Sequence, residues 1–393
     1  MTVYLDNAST TKMCPTAIEA MLPYFDEIYA NPSSLHSMGQ RAKEVLEQAR
    51  EDIARRLGAT SGEIYFTSGG SEADNQAIRS AAYMGARKGK RHILTTAFEH
   101  HAVLHTLQQL AKEGFEVEYL PVGTVTPDEV EKALREDTCL VSVMMANNEI
   151  GSVLPIAEIG AICRAHRVLL HTDAVQAVGH IPVDVGAMNI DMLSLSAHKF
   201  HGPKGVGVLY AKRGIALTSL IAGGAQEKGK RAGTENIAGI VGMAAALAEA
   251  TDHLEENSRA IVAKRDRLIQ GLSAIPHSVL NGDKVHRLPG NVHFCFEGIE
   301  GESLLLLLDE YGIAASSGSA CTSGSLDPSH VLLAIGHPHE IAHGSLRLTL
   351  STYTTDADID LALTAVPQVV ERLRNMSPVW RDKLNGKKPF LLA

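Results

Sequence analysis

The sequence predicts an α/β protein with a mostly parallel central sheet and a second, smaller α+β domain. Three observations carry that expectation. Short β-rich runs alternate with longer amphipathic stretches through the first half of the chain, as in a sheet covered on both faces. Long helical patterns then fill residues 236–272, and beyond them the alternation changes character. Polar residues able to do chemistry stand directly after the strand candidates, where open α/β sheets bind their ligands.

Taken in order, strands are expected at residues 64–67, 92–96, 116–120, 140–145, 168–172, 191–196 and 206–210. Helices are expected between most of them, at 72–84, 102–113, 127–135 and 156–166. The last three strands follow at short spacing, so part of the sheet should be antiparallel there. The helical stretch 236–272 is interrupted near Asp252. The smaller domain then reads as strand 291–296, helix 302–311, a Ser/Gly loop, strand 345–350 and helix 356–374, joined by an N-terminal strand at 3–5. The expected boundaries are 16–260 for the large, ligand-holding domain and 1–15 plus 261–393 for the small one. No internal repeat is visible, and only the last dozen residues look like a tail.

The 393 residues allow two or three domains, and these boundaries settle on two. With 36 basic and 45 acidic side chains the formal charge is −9, and no Lys/Arg-rich block exists, which argues against nucleic acid as a partner. The longest leucine run, 304–308, falls far short of the about 20 apolar residues a membrane span needs. MTVYLDNASTT has neither a basic nor an apolar leader region, so a cytoplasmic protein is expected.

Five cysteines and no CxxC pair indicate neither a disulfide framework nor a structural zinc site. Cys139, Cys163 and Cys295 lie in apolar runs and read as buried hydrophobes, and Cys14 precedes a proline in a turn-like stretch. Cys321 differs. It sits in SSGSACTSGS, where nothing is at hand to bury it, and an accessible thiolate is a nucleophile.

Reading the residues after each strand collects one crevice. SGGSEADN follows Thr67, AFEHH follows Thr96, ANNE follows Met145, DAVQ follows Thr172 and AHK follows Ser196. The glycines of Ser68-Gly69-Gly70-Ser71 permit a tight turn, and N–H groups at the following helix start bind anions. An ordinary βα turn, with Ser71 as N-cap and Asp74 completing a capping box, is the alternative. The spacing is neither a Walker motif nor GxGxxG, so a small phosphate ligand suits it better than ATP or NAD.

Lys199 lies at the end of an apolar strand beside Ser196 and His198, where a lowered pKa would allow a Schiff base; Lys204, inside a Gly-Pro turn, is the competing lysine. Asp173 is expected half-buried, with a cationic partner. A Schiff-base lysine, a buried carboxylate and a phosphate cradle together specify pyridoxal phosphate, whose ring nitrogen the carboxylate keeps protonated. Arg347 would either occupy a wet strand face or offer a guanidinium fork to a substrate carboxylate. Among reactions of this cofactor, a mobile thiol is needed where sulfur is removed from the substrate, which points to Cys321. His337, His339 and His343 have the spacing of a metal cluster, though a surface loop explains them equally well.

These residues resemble the cysteine desulfurases of the class V aminotransferase superfamily. The resemblance runs nearly end to end, through YLDNASTT, NPSSLHSMG, FTSGGSEADN, EHHAVL, NNEIG, HTDAVQAVG, SAHKFHGPKGVG, RAGTEN, SSGSACTSGSLDPSHVL, GSLRLTLS and RLRNMSPVW. The residues around Cys321, with AHGS further on, look most like the NifS branch that serves nitrogen fixation. The housekeeping IscS branch is a near second. The long Cys321 loop separates both from the SufS-like branch, which resembles selenocysteine lyases.

The resemblance implies the aspartate aminotransferase-like fold (fold type I) and a homodimer. It implies Lys199 as Schiff-base lysine and base for the Cα proton, and His100 stacked on the ring and assisting proton transfer. Asp173 would pair with the ring nitrogen and Gln176 with the ring phenolate. Gly70, Ser71, Ser196 and His198 would hold the phosphate, with Thr234 reaching in from the other subunit. Asn148, beside the cofactor, and Arg347 would hold the carboxylate of L-cysteine. Cys321 would take its sulfur as a persulfide, releasing L-alanine, and pass it to an iron–sulfur scaffold protein. No metal of its own is implied; Cys321 is at most a transient ligand of a cluster shared with the scaffold. Ser9, where alanine is usual, and Gly70-Ser71, where Gly-Thr or Ala-Thr is commoner, are small departures. A rival of another class is a binding module that clasps a scaffold and uses His and Cys for metal. It predicts a colourless protein.

Overall fold

The computed structural model describes residues 2–121, 125–318 and 327–392. The chain divides into two compact units. One comprises Met1–Thr10, Asn147–Val153 and Glu255–Ala393, the other Thr11–Ala146 and Leu154–Leu254. The first strand, β1 (Val3–Tyr4), belongs to the former.

The second unit is built on a seven-stranded sheet of β2 (Ile64–Thr67), β3 (His92–Thr96), β4 (Glu116–Leu120), β5 (Thr138–Ser142), β6 (Leu169–Asp173), β7 (Met192–Ser196) and β8 (Gly207–Ala211), in the order β2-β8-β7-β6-β5-β3-β4. β3 to β7 run parallel, while β8 lies antiparallel between β7 and β2, as the short spacing implied. β3, β5, β7 and β8 are buried along their whole length, the signature of a sheet covered on both faces. Helix Gly70–Ala86 covers one face with small residues, Ala73, Ala77, Ala81 and Ala82, which pack with Ile93, Leu140, Met192 and Leu209. β5 ends three residues before its expected end, yet the Val143 and Met145 N–H groups still donate to the His171 and Asp173 carbonyls, so β6 continues to hold the chain beyond the strand.

The first unit holds a three-stranded antiparallel sheet of β9 (Ser278–Leu280), β10 (Asn291–Phe296) and, after β11 (Ile313–Ala314), β12 (Ser345–Thr349), with β10 in the middle. β1 pairs in parallel with β11, which ties the N-terminus to this unit. Phe294, Phe296, Leu304, Leu346 and Val366 lie in one core, to which helices Leu254–Leu272, Gly301–Glu310 and Asp356–Met376 contribute.

Segment Asn147–Val153, which the sequence pattern assigned to the large domain, is held by this unit. The Leu288 N–H donates to the Gly151 carbonyl (2.8 Å) and the Asn291 amide to the Glu149 carbonyl (2.9 Å). Gly151 is left-handed (φ +74), and a Cβ there would stand 2.5 Å from the Asn291 side chain.

The C-terminus is not the loose tail its composition suggested. Glu297, fully buried, accepts the N–H groups of Leu391 (2.8 Å) and Leu392 (2.9 Å) and pairs with buried Lys383 (2.5 Å). Phe390 stacks on the His277 ring at 3.9 Å between centroids. Among the described residues no single helix is long and apolar enough to cross a membrane.

Removing Glu297 leaves Lys383 paired with Glu340 (2.8 Å) but strips the Leu391 and Leu392 N–H groups of their acceptor, at a cost of about 1–3 kcal/mol. Glu297→Ala should therefore lower the urea midpoint of unfolding clearly more than Glu310→Ala, a change at the exposed Arg372–Glu310 pair. Equal midpoints for the two variants would show that the tail tie contributes nothing.

Candidate active site

The polar residues of the second unit gather at the carboxyl ends of β2, β3, β6 and β7. At the first of these, helix Gly70–Ala86 starts directly after the turn, with Gly69 as its N-cap at φ +154 and ψ −177, a conformation that favours glycine. The helix thus begins one residue earlier than a Ser71 cap allows, and Ser71 lies in its first turn. Glu72 does the capping instead, accepting the Ser68 N–H at 2.8 Å. Asp74 is turned inward and 1% exposed, so the expected capping box does not form. The turn fits against β8 because position 207 is glycine. A Cβ there would stand 2.6 Å from the Leu195 carbonyl oxygen and 2.7 Å from the Gly69 Cα. A Cβ at Gly70 would stand 2.5 Å from Val175 Cγ2. What remains is a backbone cradle at a helix start, with the buried Ser196 hydroxyl 3.6 Å from where a Gly69 Cβ would be.

Asp173 closes β6. It is buried (5% exposed), not half-buried, and its Oδ1 accepts the Val175 N–H at 2.9 Å. Burial, and then the charge of Asp74, push its carboxyl up to about 7, while the more distant His171 and Lys199 oppose that shift. The cationic partner foreseen for it is not a directly bonded side chain. His100 caps helix His101–Lys112, its Nδ1 accepting the Ala102 N–H at 3.1 Å, which places the proton of the neutral ring on Nε2. Donor atoms of Asp74, His100 and Asp173 all lie within 4.8 Å of one another. Gln176 is buried on the turn after β6.

Lys199 ends the short turn Ala197–Lys199 after β7, its carbonyl accepting from His180 Nε2 at 2.9 Å. Neighbouring His198 is pushed down to about 4 by burial and by the charges of Lys199 and Lys204. Lys204 is exposed, which weakens it as the rival lysine. Thr234 is exposed, after the left-handed Gly233.

Sequence reasoning missed the layer behind Asp173. His171, fully buried, bonds Ser142 (2.9 Å) and Ser194 (3.1 Å), lies 3.5 Å from Asp74, and is pushed down to about 4 by burial. Glu99, also buried, accepts from Thr96 (2.7 Å) and from the Met144 N–H (2.9 Å), and burial pushes it up to about 8. A signal existed for His171: two residues before Asp173 on one strand, it must share its face.

The first unit carries a separate group. Arg347 is 2% exposed, so it is not on a wet strand face. Its Nη1 donates to the carbonyls of Asn148 (3.0 Å) and Gly318 (2.6 Å), and its Nη2 to Asp6 (3.0 Å) and Ser9 (2.8 Å). Ser9, the departure noted in the N-terminal motif, donates in turn to Asp6 at 2.7 Å, so its hydroxyl links the two. Arg347 Nε is buried with no hydrogen-bond partner among the described residues. Cys321 lies outside the described residues. On either side of it, Gly318 bonds Arg347 and the Ser329 hydroxyl donates to the buried Glu149 carboxylate. The other four cysteines, Cys14 included, are buried. His337 Nε2 donates to Asn281 (2.7 Å), and the rings of His339 and His343 are 6.5 Å apart, so the three histidines do not converge as a ligand set.

The second unit's donors fit pyridoxal phosphate. Asp173 is a buried carboxylate to which no cation is bonded among the described residues, as a protonated ring nitrogen requires, and beside Gly69 the nearest atom to an added Cβ is the Ser196 hydroxyl at 3.6 Å, which leaves open space at the helix start. Fold and site together define a pyridoxal phosphate enzyme of the aspartate aminotransferase-like type. The family model described as Aminotransferase class-V matches residues 3–362. The chain is 54% identical to the cysteine desulfurase IscS of Methanosarcina thermophila over 380 residues, which is 96% of this chain and 94% of that protein. It is also 54% identical to the cysteine desulfurase IscS of Clostridium botulinum over 392 residues, 98% of each. A solved NifS-like protein, 39% identical, superposes with a TM-score of 0.89 over 95% of this chain and 100% of that one. The chain belongs to the class V aminotransferase family and, within it, to the cysteine desulfurases that depend on pyridoxal phosphate.

Backbone stands within 3 Å of the missing Cβ at position 207 and cannot swing aside as a side chain can. Gly207→Ala should displace the Gly69-Gly70 turn and cut cofactor retained per chain about tenfold or more, read from the cofactor's visible absorption, which amounts to about 1.4 kcal/mol. Full retention would mean that the turn is not the phosphate cradle.

Proposed function

We propose that the protein takes sulfur from L-cysteine as a persulfide on Cys321, releases L-alanine, and hands the sulfur to an iron–sulfur scaffold protein. The observation that carries the reading is Lys199 in the turn after β7, its charge acting on buried Asp173, whose carboxylate lies within 4.8 Å of a His100 ring nitrogen. Bound pyridoxal phosphate supplies the electron sink that makes the Cα–H and Cβ–S bonds of cysteine breakable.

The chain's own residues do the rest. The Gly70 and Ser71 turn, with Ser196 and His198, holds the phosphate, and Gln176 the phenolate. Asp173 faces the ring nitrogen, and Lys199 Nζ takes and returns the Cα proton. His100, whose Nδ1 accepts the Ala102 N–H, presents Nε2 for proton transfer. Arg347, backed by Asp6 and Ser9, and Asn148 orient the substrate carboxylate. The Cys321 thiolate attacks the substrate sulfur. The S–S bond forms as the Cβ–S bond breaks, the electron pair goes to Cβ, and a proton completes the methyl group of alanine.

Exposed apolar side chains Phe25, Tyr29 and Leu35 (the last 93% exposed) support a homodimer in which Thr234 serves the neighbouring subunit. Delivery to nitrogenase is favoured by the NifS-like sequence around Cys321, and housekeeping delivery by the IscS relatives. The cytoplasm is the expected location. Selenocysteine lyase activity is the lesser alternative, since the long Cys321 loop suits transfer of sulfur to a protein.

With L-cysteine and a reductant, the yellow protein should yield alanine and sulfide. Cys321→Ser should stay yellow and stop releasing sulfide, and continued release would overturn the persulfide route. Lys199→Ala should lose the normal visible absorption while Lys204→Ala keeps it, and the reverse would exchange their roles.

A further inference from the structure

Behind the proposed ring-nitrogen partner stands a carboxylate that the proposed mechanism does not use. Asp74 projects from helix Gly70–Ala86 into the buried layer rather than capping it. Its donor atom lies within 4.8 Å of those of Asp173 and His100. Its Oδ1 is buried and has no hydrogen-bond partner among the described residues. His171 lies 3.5 Å away, and that ring is already engaged by Ser142 and Ser194.

The groups facing the pair can be named element by element. His171 comes from β6, Ser194 from β7, and Glu99 and His100 from the loop after β3, while Lys199 acts from the turn after β7. Glu99 is a like charge held by Thr96 and the Met144 N–H. Two ionised carboxylates this close in a buried site repel strongly, and one then keeps a proton.

We propose that Asp74 is a positioning residue for the cofactor: with Asp173 it holds a proton in the cofactor-free chain, which the ring nitrogen of pyridoxal phosphate takes over on binding. This rests on Asp173 being the ring-nitrogen partner. In the transfer a carboxyl O–H bond breaks and the ring N–H bond forms, so the net charge of the site is unchanged. The positive charge on the ring nitrogen would then offset the second negative charge of the pair, so that loading and formation of the electron sink would coincide.

Burial pushes both carboxyls up to about 7. A raised folded-state value means that the folded chain binds protons the unfolded chain has lost. The contribution of these two carboxyls to the stability of the cofactor-free protein should therefore fall as pH rises from about 4 to about 7, their unfolded and folded values, against the opposite contribution of buried His171.

The test compares cofactor-free wild type and Asp74→Asn, with Asp74→Ser in reserve should the amide fail to fold. Infrared difference spectra near pH 6 on adding pyridoxal phosphate should show loss of protonated-carboxyl intensity in wild type and little loss in the variant. Between about pH 4 and 7 the urea midpoint of the variant should gain on that of wild type, because the proton held by Asp74 and its charge on Asp173 are both gone. Yellow wild type with no loss of carboxyl intensity, or a variant with wild-type loss, would overturn the proposal and leave the desulfurase reading standing. A protein that never turns yellow would overturn the cofactor assignment itself.

Discussion

A carboxylate buried at the end of a strand, with no cation bonded to it among the described residues, is the constraint around which the second unit is organised. Asp173 closes β6 between β5 and β7, away from solvent. Such a group is costly to ionise unless something positive enters. Pyridoxal phosphate carries that charge on its ring nitrogen and a counter-charge on its phosphate, and the fold offers a place for each. The parallel strands end together, so Lys199 after β7 and His100 after β3 stand on the same side as Asp173 although β6 and β5 lie between their strands, and the glycine turn lies at the start of a helix.

The antiparallel strand β8 enables this arrangement. It lies between β7 and β2, and Gly207 on it lets the Gly69-Gly70 turn approach to backbone contact. A larger residue would push the helix start outward, and the first-turn N–H groups with it. In the first unit a comparable economy surrounds Arg347. Its five donors are shared among two carbonyls, Asp6, Ser9 and one open Nε, so the guanidinium is fixed in orientation before any substrate arrives.

Much of this was legible in the sequence because it rests on periodicity and on the few residues directly after each strand. Strands 64–67, 92–96 and 116–120 and helix 156–166 fall where the patterns put them, and Cys139, Cys163 and Cys295 are buried as their apolar runs announced, while Cys14, read as part of a turn, is buried too. Other features were not legible, for physical reasons. Asp74 sits at capping-box spacing, and only the glycine start of its helix shows that the side chain turns inward. Asn147–Val153 is short and polar, and its allegiance is decided by hydrogen bonds from residues about 140 positions away. The C-terminal residues look like a tail because their anchor, Glu297, is remote in sequence.

The central claim is that Cys321 receives the sulfur, and a single turnover tests it most directly. The yellow protein, mixed with one equivalent of L-cysteine and no reductant, is digested and its peptides are weighed. The account predicts one added sulfur atom on the peptide bearing Cys321, matched by one equivalent of alanine. Alanine formed with that peptide unmodified, or with the sulfur on the peptides of Cys14, Cys139, Cys163 or Cys295, would contradict it.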